Sequence, residues 1–352
     1  MNYYPTTIKG CNQPLAARYS LALLDLDGVV YRGAHPVEHV AEGIDSAARL
    51  GMHIAYTTNN PSRYPDVVAE QISSFGVDAH GSDVITSAMV SAAMLKEKLQ
   101  SGARVLVVGK DHLKTELTQA GLVVVDCAAD NPDAVIQSWF PEISWQHLSQ
   151  AAYAIQHGAR YFVTNRDMTI PREEGIAPGN GALQLPVIAA TNQEPEASAG
   201  KPEAAMYHQA RHLFSPTEQM VETEDCLPVG DRLDTDIEAA NRGGYDSAVV
   251  LTGVADAGQI MTARAIERPT YICADLLGLS LAQPDVKREN SQFICRDARA
   301  WIDGNTVHMD ASNTSLDGLR AAASAAWAAV DEGLCALEDL HLPFFASNLH
   351  EN

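Results

Sequence analysis

The segment LALLDLDGVVYRG, residues 21–33, constrains the fold and the chemistry of this chain more than any other part. Its apolar start predicts a buried strand at Leu21–Leu24, followed at once by two carboxylates, Asp25 and Asp27, and by Gly28. Two carboxylates at the end of a buried strand are costly unless a cation, a proton or a covalent reaction stabilises them. The rest of the chain must therefore supply partners for this pair.

Short apolar runs alternate with amphipathic stretches along most of the chain. This alternation predicts an α/β fold with a parallel sheet that is covered on both faces. Strands are expected at Leu21–Leu24, His53–Thr57, Val105–Val108, Leu122–Val125, Val135–Ser138, Tyr161–Val163, Val187–Ala190, Cys226–Val229, Ser247–Leu251 and Thr270–Cys273. Helices are expected at Val40–Leu50, Pro65–Phe75, Ser87–Lys98 and Trp145–His157.

Motif positions set the expected domain boundaries, because composition changes little along the chain. We expect a core at 15–82 and 186–285, an inserted α/β unit at 83–185, and a tail at 286–352. In the tail, Asp303-Gly304 predicts a β-hairpin. A helix with one apolar face should follow, capped by Ser315 or Thr314, with Leu316, Leu319, Ala323, Trp327, Val330, Leu334 and Leu337 on that face. The tail is therefore expected to be a small α+β appendage that packs on another part of the protein.

The net charge of −21 limits the classes of partner. An acidic surface repels nucleic acid and anionic membranes, so neither is an expected partner. Six scattered cysteines, none in a CxxC pair, and an N-terminus without an apolar leader fit a reducing cytoplasm. A phosphorylated substrate would need a site that is locally positive.

Four segments carry the polar residues expected at the ends of core strands. They are DLDG at 25–28, TTNN at 57–60, GKP with Lys201 before a helix that begins at Pro202, and GDRLDTD with Asp231 and Asp236. Taken singly, each has a plainer interpretation as a turn, a solvated helix start or a helix cap. Their order and their positions after strands favour a single site.

The chemistry of such a site follows from its charges. Two carboxylates about 4 Å apart repel by roughly 4 kcal/mol at an effective dielectric constant near 20, so three or four would gather a divalent cation. Oxygen ligands of this kind select Mg²⁺. With the hydroxyl of Thr58, the charge of Lys201, and donors from Asn59 and the loop amides, the set predicts a phosphate site with an aspartate nucleophile.

Together, DLDGVVYRG, TTNNP, GKP and GDRLDTDIEAANRGGYDSAVVLTGV resemble the motifs of the haloacid dehalogenase superfamily, class IIA, the NagD-like phosphatases. The resemblance spans residues 18–280 and implies a Rossmann-like parallel-sheet core with helices on both faces and a large α/β cap. The segment TNRDMTIPREEGIAPGNGAL is similar to the cap-closing segment of that class. Longer actinobacterial members with glycerol 3-phosphate activity carry a C-terminal unit described as acetyltransferase-like, but this tail has no evident acetyl-coenzyme A loop.

The resemblance also implies roles for individual residues. Asp25 is the expected nucleophile of a Mg²⁺-dependent phosphatase, and Asp27 the expected general acid and base. Mg²⁺ is expected on the Asp25 carboxylate, the Asp27 carbonyl and Asp231, with Asp236 beside it. The phosphate-binding residues implied are Gly28, Thr58, Asn59, Asn60 and Lys201, of which Thr58 and Lys201 are also implied in catalysis.

The cap is expected to set specificity through Asn165, Arg166, Asp167 and the turn 178–181, although Arg166 and Asp167 also fit a surface ion pair. Few aromatic residues lie in this segment, which favours a polyol phosphate such as glycerol 3-phosphate. Phosphoglycolate, sugar phosphates, nitrophenyl phosphate and pyridoxal phosphate are alternative substrates. A mutase and a degenerate binding or regulatory protein are the alternative functions. Related caps mediate dimers, which makes a homodimer through the cap a further expectation.

Overall fold

A computed structural model describes residues 4–172, 174–215 and 220–350, and the chain divides into two compact units. The first unit comprises residues 1–56, 72–78 and 211–352, and the second comprises 57–71 and 79–210. The boundaries expected from the motifs divide the chain differently. Those boundaries stay a prediction.

The first unit contains the parallel sheet that the sequence predicts. Its strands follow one another in the order Tyr271–Cys273, Ala248–Val250, Cys226–Gly230, Leu21–Leu24 and His53–Thr58, the last of which runs on into the second unit. Every pairing in this series is parallel. All four residues of Leu21–Leu24 are buried, as expected for an inner strand of a covered sheet. The predicted α/β class is therefore confirmed.

Short elements complete this part of the first unit. Its helices are Leu15–Arg18, Val40–Arg49, Glu238–Gly243 and Ala257–Met261, with a π-helical turn at Leu233–Ile237 and 3₁₀ turns at Thr223–Asp225, Ala265–Glu267 and Leu276–Ser280. Two small antiparallel pairs join Cys11–Pro14 to Ala282–Gln283 and Tyr31–Arg32 to His35–Pro36. Two further helices, Pro65–Ser73 and Ala205–Leu213, have residues in both units.

The C-terminal segment forms an antiparallel sheet and a helix. The strands are Lys287–Glu289, Gln292–Cys295, Ala298–Asp303 and Thr306–Asp310, followed by the helix Leu316–Asp331 and a 3₁₀ turn at Leu337–Asp339. Asp303 pairs with Thr306 around Gly304, whose φ is 62°, so the predicted hairpin is confirmed. The Ser315 hydroxyl accepts the Gly318 N–H at 3.1 Å, which confirms Ser315 as the helix cap.

The C-terminal helix is buried around its circumference, whereas the sequence predicts one apolar face. Thirteen of its sixteen residues are buried, and eight of these share a hydrophobic cluster with residues of the parallel sheet such as Val249 and Ile272. The helix ends at Asp331, so the prediction is wrong for Leu334, which is 61% exposed, and for Leu337, which lies in the 3₁₀ turn Leu337–Asp339. Runs of alanine allow this burial, because small side chains let neighbouring elements approach from several sides.

The second unit has its own parallel sheet. The strands follow the order Ala197–Ser198, Arg160–Val163, Ala134–Gln137, Arg104–Val108 and Val123–Val125, and Val84–Thr86 precedes them in the chain. Its helices are Ser87–Lys98, Asp111–Gln119, Trp145–Gln156 and Asn180–Thr191, with 3₁₀ turns at Gly81–Asp83 and Ala128–Asp130. A hairpin joins Thr169–Arg172 to Gly175–Pro178. The predicted strand–helix–strand pattern, repeated twice, is confirmed.

One predicted strand is wrong. The apolar run Val187–Ala190 lies inside the helix Asn180–Thr191. Burial at Asn180, Gln184 and Val187, with Ala189 and Ala190 exposed, follows a helical period. A run of four apolar residues fits either a strand or a helix, and its periodicity alone does not distinguish the two.

Two observations bear on the membrane and redox expectations. Among the helices of the described residues, none combines the length and hydrophobicity that crossing a membrane requires. All six cysteines are free, and burial raises the pKa of the Cys226 and Cys295 thiols to about 12. These two thiols are therefore poor nucleophiles at neutral pH.

We predict that acid destabilises the second unit through His112, which is 1% exposed. Burial lowers its pKa from 6.5 to about 4, while Nε2 bonds the Thr86 hydroxyl at 2.9 Å and Glu116 lies 3.7 Å from Nδ1. The contribution of neutral His112 is complete above pH 6.5 and is lost as the pH falls towards about 4. Urea unfolding of His112→Gln should therefore show a weaker pH dependence in this window than the wild type. The exposed His157→Gln is the control, and an unchanged slope for His112→Gln would contradict the prediction.

Candidate active site

Three carboxylates converge at one edge of the parallel sheet in the first unit. Asp25 follows Leu21–Leu24, and its N–H donates to the Val229 carbonyl of the neighbouring strand at 2.8 Å. Asp231 follows that neighbouring strand, and the carboxyl ends of parallel strands meet at the same edge. Carboxylate oxygens of Asp25, Asp231 and Asp236 all lie within 4.8 Å of one another.

Backbone groups hold two of these carboxylates in place. Asp231 Oδ2 accepts the Val254 N–H at 2.7 Å, and Asp236 Oδ2 accepts the Arg232 N–H at 3.1 Å. Both aspartates are 1% exposed. The π-helical turn at Leu233–Ile237 carries Asp236 back towards the strand end, since a direct continuation of the strand would carry it away.

Glycines make room for the carboxylates. A methyl group on Gly28 or Gly253 would overlap the Asp231 carboxylate, and one on Gly230 would overlap Asp236. Gly28 also has a φ of 91°, a backbone conformation that residues other than glycine rarely adopt. The chain thus brings its backbone against both buried carboxylates.

The donor set suits a hard divalent cation. Three carboxylates this close, two of them buried and Asp25 half-buried, repel one another strongly unless a positive charge lies between them. Carboxylate oxygens without imidazole or thiolate are the ligands that Mg²⁺ prefers. The residues present therefore fit a magnesium ion.

Asp27 occupies a tight loop beside the triad. The Leu26 carbonyl accepts N–H groups from Val30 at 2.9 Å and from Tyr31 at 3.1 Å, and the Gly28 N–H donates to the Tyr31 carbonyl at 2.7 Å. This loop leaves the Asp27 side chain exposed, whereas its neighbours Leu26 and Gly28 are buried. A carboxyl group that reaches solvent next to buried carboxylates suits proton transfer.

The second unit holds a separate group of predicted site residues. Thr58 is the last residue of its strand and is 4% exposed, and Lys201 is 1% exposed. The Thr58 hydroxyl accepts the Asn60 N–H at 3.1 Å, and Asn60 Oδ1 accepts the Ser62 N–H at 2.9 Å. Lys201 Nζ donates to the Thr57 carbonyl at 3.4 Å. Lys201 is thus bound to Thr57, the residue before Thr58 at the end of the strand His53–Thr58.

The helix predicted to begin at Pro202 begins at Ala205 instead. Residues 200–203 form a turn in which the Glu203 N–H donates to the Gly200 carbonyl at 3.1 Å. Lys201 therefore lies in a turn after the strand Ala197–Ser198 and is not the residue before a helix.

The cap loop after Arg160–Val163 brings two of its three predicted residues to Asn59. The Asn165 amide donates to the Asn59 carbonyl at 2.9 Å, and the Asp167 carboxylate accepts from Asn59 Nδ2 at 3.0 Å. Arg166 donates to the Pro195 carbonyl at 3.1 Å. Arg166 and Asp167 therefore contact other residues in these bonds, in place of the surface ion pair that the sequence also allows.

Some residues of the site are absent from the sequence analysis. Gly253, which follows the strand Ala248–Val250, and Ser87, whose hydroxyl donates to the Asn59 carbonyl at 2.7 Å, are the clearest cases. The signal for Gly253 is its position after a third strand of the same sheet. The sequence gives no such signal for Ser87. Its contact with Asn59 depends on where the helix Ser87–Lys98 begins relative to the turn that contains Asn59.

We predict that Gly253→Ala weakens metal binding. The added methyl group must displace the Asp231 carboxylate, so the affinity for Mg²⁺ should fall by at least about tenfold. Gly258→Ala is the matched control, since its methyl group comes no closer than 3.2 Å to the Asp256 carboxylate. Calorimetric titration with Mg²⁺ measures both, and equal affinities would contradict this account of the glycine.

Comparisons with known proteins show which family this chain is similar to. The sequence model of a family described as haloacid dehalogenase-like hydrolases matches residues 22–123. A second family model, described as HAD-hydrolase-like, matches residues 198–279. A D-glycerol 3-phosphate phosphatase of Mycobacterium tuberculosis is 39% identical over 265 residues, which cover 75% of this chain and 72% of the relative. An acid sugar phosphatase of Staphylococcus haemolyticus is 33% identical and shares 73% of this chain and 94% of its own length.

Solved structures give the same result. A glycerol phosphate phosphatase of Mycobacterium tuberculosis in complex with magnesium aligns with a TM-score of 0.80 and 35% identity, covering 94% of this chain and 95% of that one. A p-nitrophenyl phosphatase of Archaeoglobus fulgidus aligns with a TM-score of 0.67 and 26% identity over 74% of this chain and 98% of its own. The chain therefore belongs to the haloacid dehalogenase-like hydrolases of class IIA, the NagD-like group, and is a phosphoric monoester hydrolase.

Proposed function

We propose that this phosphatase hydrolyses glycerol 3-phosphate with Mg²⁺ as its cofactor, through an aspartyl-phosphate on Asp25. The observation that carries the proposal is the cluster of Asp25, Asp231 and Asp236, whose carboxylate oxygens lie within 4.8 Å of one another. Two buried carboxylates and the half-buried Asp25 at this spacing provide both a cation site and a nucleophile.

The reaction takes two steps. A carboxylate oxygen of Asp25 forms a bond to phosphorus while the bond from phosphorus to the glycerol oxygen breaks, and Asp27 gives a proton to that oxygen. Asp27 then takes a proton from water, the water oxygen attacks phosphorus, and the bond to Asp25 breaks. Inorganic phosphate leaves, and both aspartates return to their starting states.

The metal-binding residues in this proposal are Asp25, the Asp27 carbonyl, Asp231 and Asp236. When bound there, Mg²⁺ neutralises charge on the transferring phosphoryl group. The chain's own contribution is to hold the carboxylates through the Val254 and Arg232 N–H groups before substrate arrives. Such preorganisation avoids rearrangement during the reaction.

Phosphate binding involves both loops. The Thr58 hydroxyl and the Lys201 ammonium bind the non-bridging oxygens, and Gly28 leaves space for the phosphate. Asn59 offers its main-chain N–H, while Asn60 fixes the loop through its 2.9 Å bond with the Ser62 N–H.

The choice of glycerol 3-phosphate has two supports. One relative is a D-glycerol 3-phosphate phosphatase that is 39% identical to this chain. The cap loop with Asn165, Arg166 and Asp167 is polar, which suits the hydroxyl groups of a polyol better than a flat ring. The acid sugar phosphatases, at 33% identity, make a sugar phosphate the second candidate.

A substrate panel tests this choice. We expect the highest kcat/KM for glycerol 3-phosphate among that substrate, a hexose phosphate, phosphoglycolate, nitrophenyl phosphate and pyridoxal phosphate. A preference for the hexose phosphate would favour the second candidate. A flat profile would contradict the substrate assignment while leaving the phosphatase chemistry in place.

We predict that chelation of divalent cations with EDTA stops hydrolysis and that added Mg²⁺ restores it. A second readout does not depend on activity. Mg²⁺ at about 100 times its Kd should stabilise the wild type by about 2.7 kcal/mol and should not stabilise Asp231→Asn to the same extent. Full activity in chelator, or equal stabilisation of both proteins, would count against the metal site.

A further inference from the structure

The Asn59 side chain forms hydrogen bonds with both the N–H and the carbonyl of Lys201. Its Oδ1 accepts the Lys201 N–H at 2.9 Å, and its Nδ2 donates to the Lys201 carbonyl at 3.0 Å. The same Nδ2 donates to the Asp167 carboxylate at 3.0 Å. Both hydrogens of the amide are thus used, so the Asn59 side chain has none left for a phosphate oxygen.

We propose that Asn59 is a positioning residue that holds Lys201 in place for phosphate binding and links it to the cap loop through Asp167. The proposal rests on the role given to Lys201 under the proposed function. The sequence predicts Asn59 as a donor to phosphate, whereas its side chain binds Lys201 and Asp167.

Electrostatics fix the orientation of the amide. The Lys201 carbonyl and the Asp167 carboxylate are both acceptors, so only Nδ2 can face them, and Oδ1 must face the Lys201 N–H. A flipped amide would put oxygen against two acceptors. Asp167 therefore selects the one orientation of Asn59 that binds both main-chain groups of Lys201.

A close approach of backbones supports the same arrangement. A methyl group on Gly200 would lie 2.6 Å from Asn59 Oδ1 and 2.8 Å from the Thr164 carbonyl. The Gly200 N–H donates to the Thr164 carbonyl at 2.7 Å. Glycine at 200 thus lets the backbone before Lys201 reach Asn59, which a larger residue would prevent.

Asn59 is itself held through its main chain. Its carbonyl accepts the Ser87 hydroxyl at 2.7 Å and the Asn165 amide at 2.9 Å. The side chain and the main chain of Asn59 are thus both bound within the second unit. Such an anchor matters for lysine, because its four-carbon side chain loses much conformational freedom when the ammonium is fixed.

A double-mutant cycle of Asn59→Ala and Lys201→Met tests the proposal. The readouts are kcat/KM on nitrophenyl phosphate and the dissociation constant of inorganic phosphate, each measured with Mg²⁺ present. Asn59→Ala alone should lower both kcat/KM and phosphate affinity by roughly tenfold to a hundredfold, because a misplacement of about 1 Å costs this much. In the Lys201→Met background the same change should lower phosphate affinity by less than about threefold, since Asn59 acts through Lys201.

A charge exchange separates positioning from loss of folding. Asn59→Asp places two carboxylates against each other and should lower activity at neutral pH. Asp167→Asn added to that variant should recover at least about tenfold, because it restores a donor–acceptor pair between the two positions. Asn131→Asp, at an exposed position of the same unit, is the control for added charge.

The outcomes separate the two proposals. Full activity of Asn59→Ala, or losses that multiply in the cycle, would overturn the positioning role while an inactive Lys201→Met leaves the proposed function in place. Full activity of Lys201→Met would overturn the role of Lys201 itself.

Discussion

Replacement of Asp25 by asparagine is expected to lower kcat by at least about 10⁴-fold, because loss of a covalent nucleophile costs this much or more. The amide has nearly the same shape as the carboxylate but is a far weaker nucleophile. It also removes one negative charge from the cluster, so the fold should not suffer. Steady-state kinetics on glycerol 3-phosphate and a thermal unfolding curve provide the two measurements.

The control for this variant is Asp297→Asn, which removes one carboxylate from an exposed position of the same unit. It should keep the activity of the wild type. Retention of a tenth or more of the activity by Asp25→Asn would refute the nucleophile assignment. A lower Tm together with lost activity would show instead that the carboxylate is needed for folding.

Trp327→Ala should lower the free energy of unfolding of the first unit by about 3–5 kcal/mol, the usual cost of removing a large buried aromatic side chain. Trp327 is fully buried in the cluster that joins the C-terminal helix to the parallel sheet. Its indole N–H donates to the Ile260 carbonyl at 2.9 Å, and the Arg268 guanidinium lies 5.3 Å from the ring centre. Denaturant unfolding followed by circular dichroism measures the change.

Trp301→Ala is the matched control, since Trp301 is only partly buried and stacks on His308 at 5.6 Å in the same C-terminal sheet. It should cost about 1 kcal/mol or less. Equal losses for the two variants would contradict the view that the C-terminal helix completes the core. By the same argument, removal of residues 286–352 should leave the first unit unable to fold, so substrate panels require the full chain.

The strands that place the site were predictable from their composition. Leu21–Leu24 and Cys226–Gly230 are short and apolar, and each ends at an acidic residue, so the sequence predicts both their burial and the edge at which Asp25 and Asp231 meet. The helix at 180–191 was harder, because its run Val187–Ala190 has no feature that separates strand from helix. The turn at Lys201 was also missed, since proline after lysine is typical of a helix start.

Contacts between distant parts of the chain account for what the sequence did not predict. The two bonds between Asn59 and the Lys201 main chain join residues 142 positions apart. The residue pattern of the C-terminal helix indicates only one apolar face. Its burial on all sides depends on the surfaces that pack against it. Local patterns predict which face of an element is apolar, whereas tertiary packing decides what that face and the others contact.

The most direct test of the account is to trap phosphate on the enzyme during turnover. Acid quenching followed by borohydride reduction converts an aspartyl-phosphate to homoserine, which peptide mapping locates. We expect homoserine at position 25 in the wild type with Mg²⁺ and substrate, and none when the substrate is omitted. Homoserine at another aspartate, or its absence during rapid turnover under conditions that trap a known aspartyl-phosphate, would contradict the assignment of Asp25 as the nucleophile.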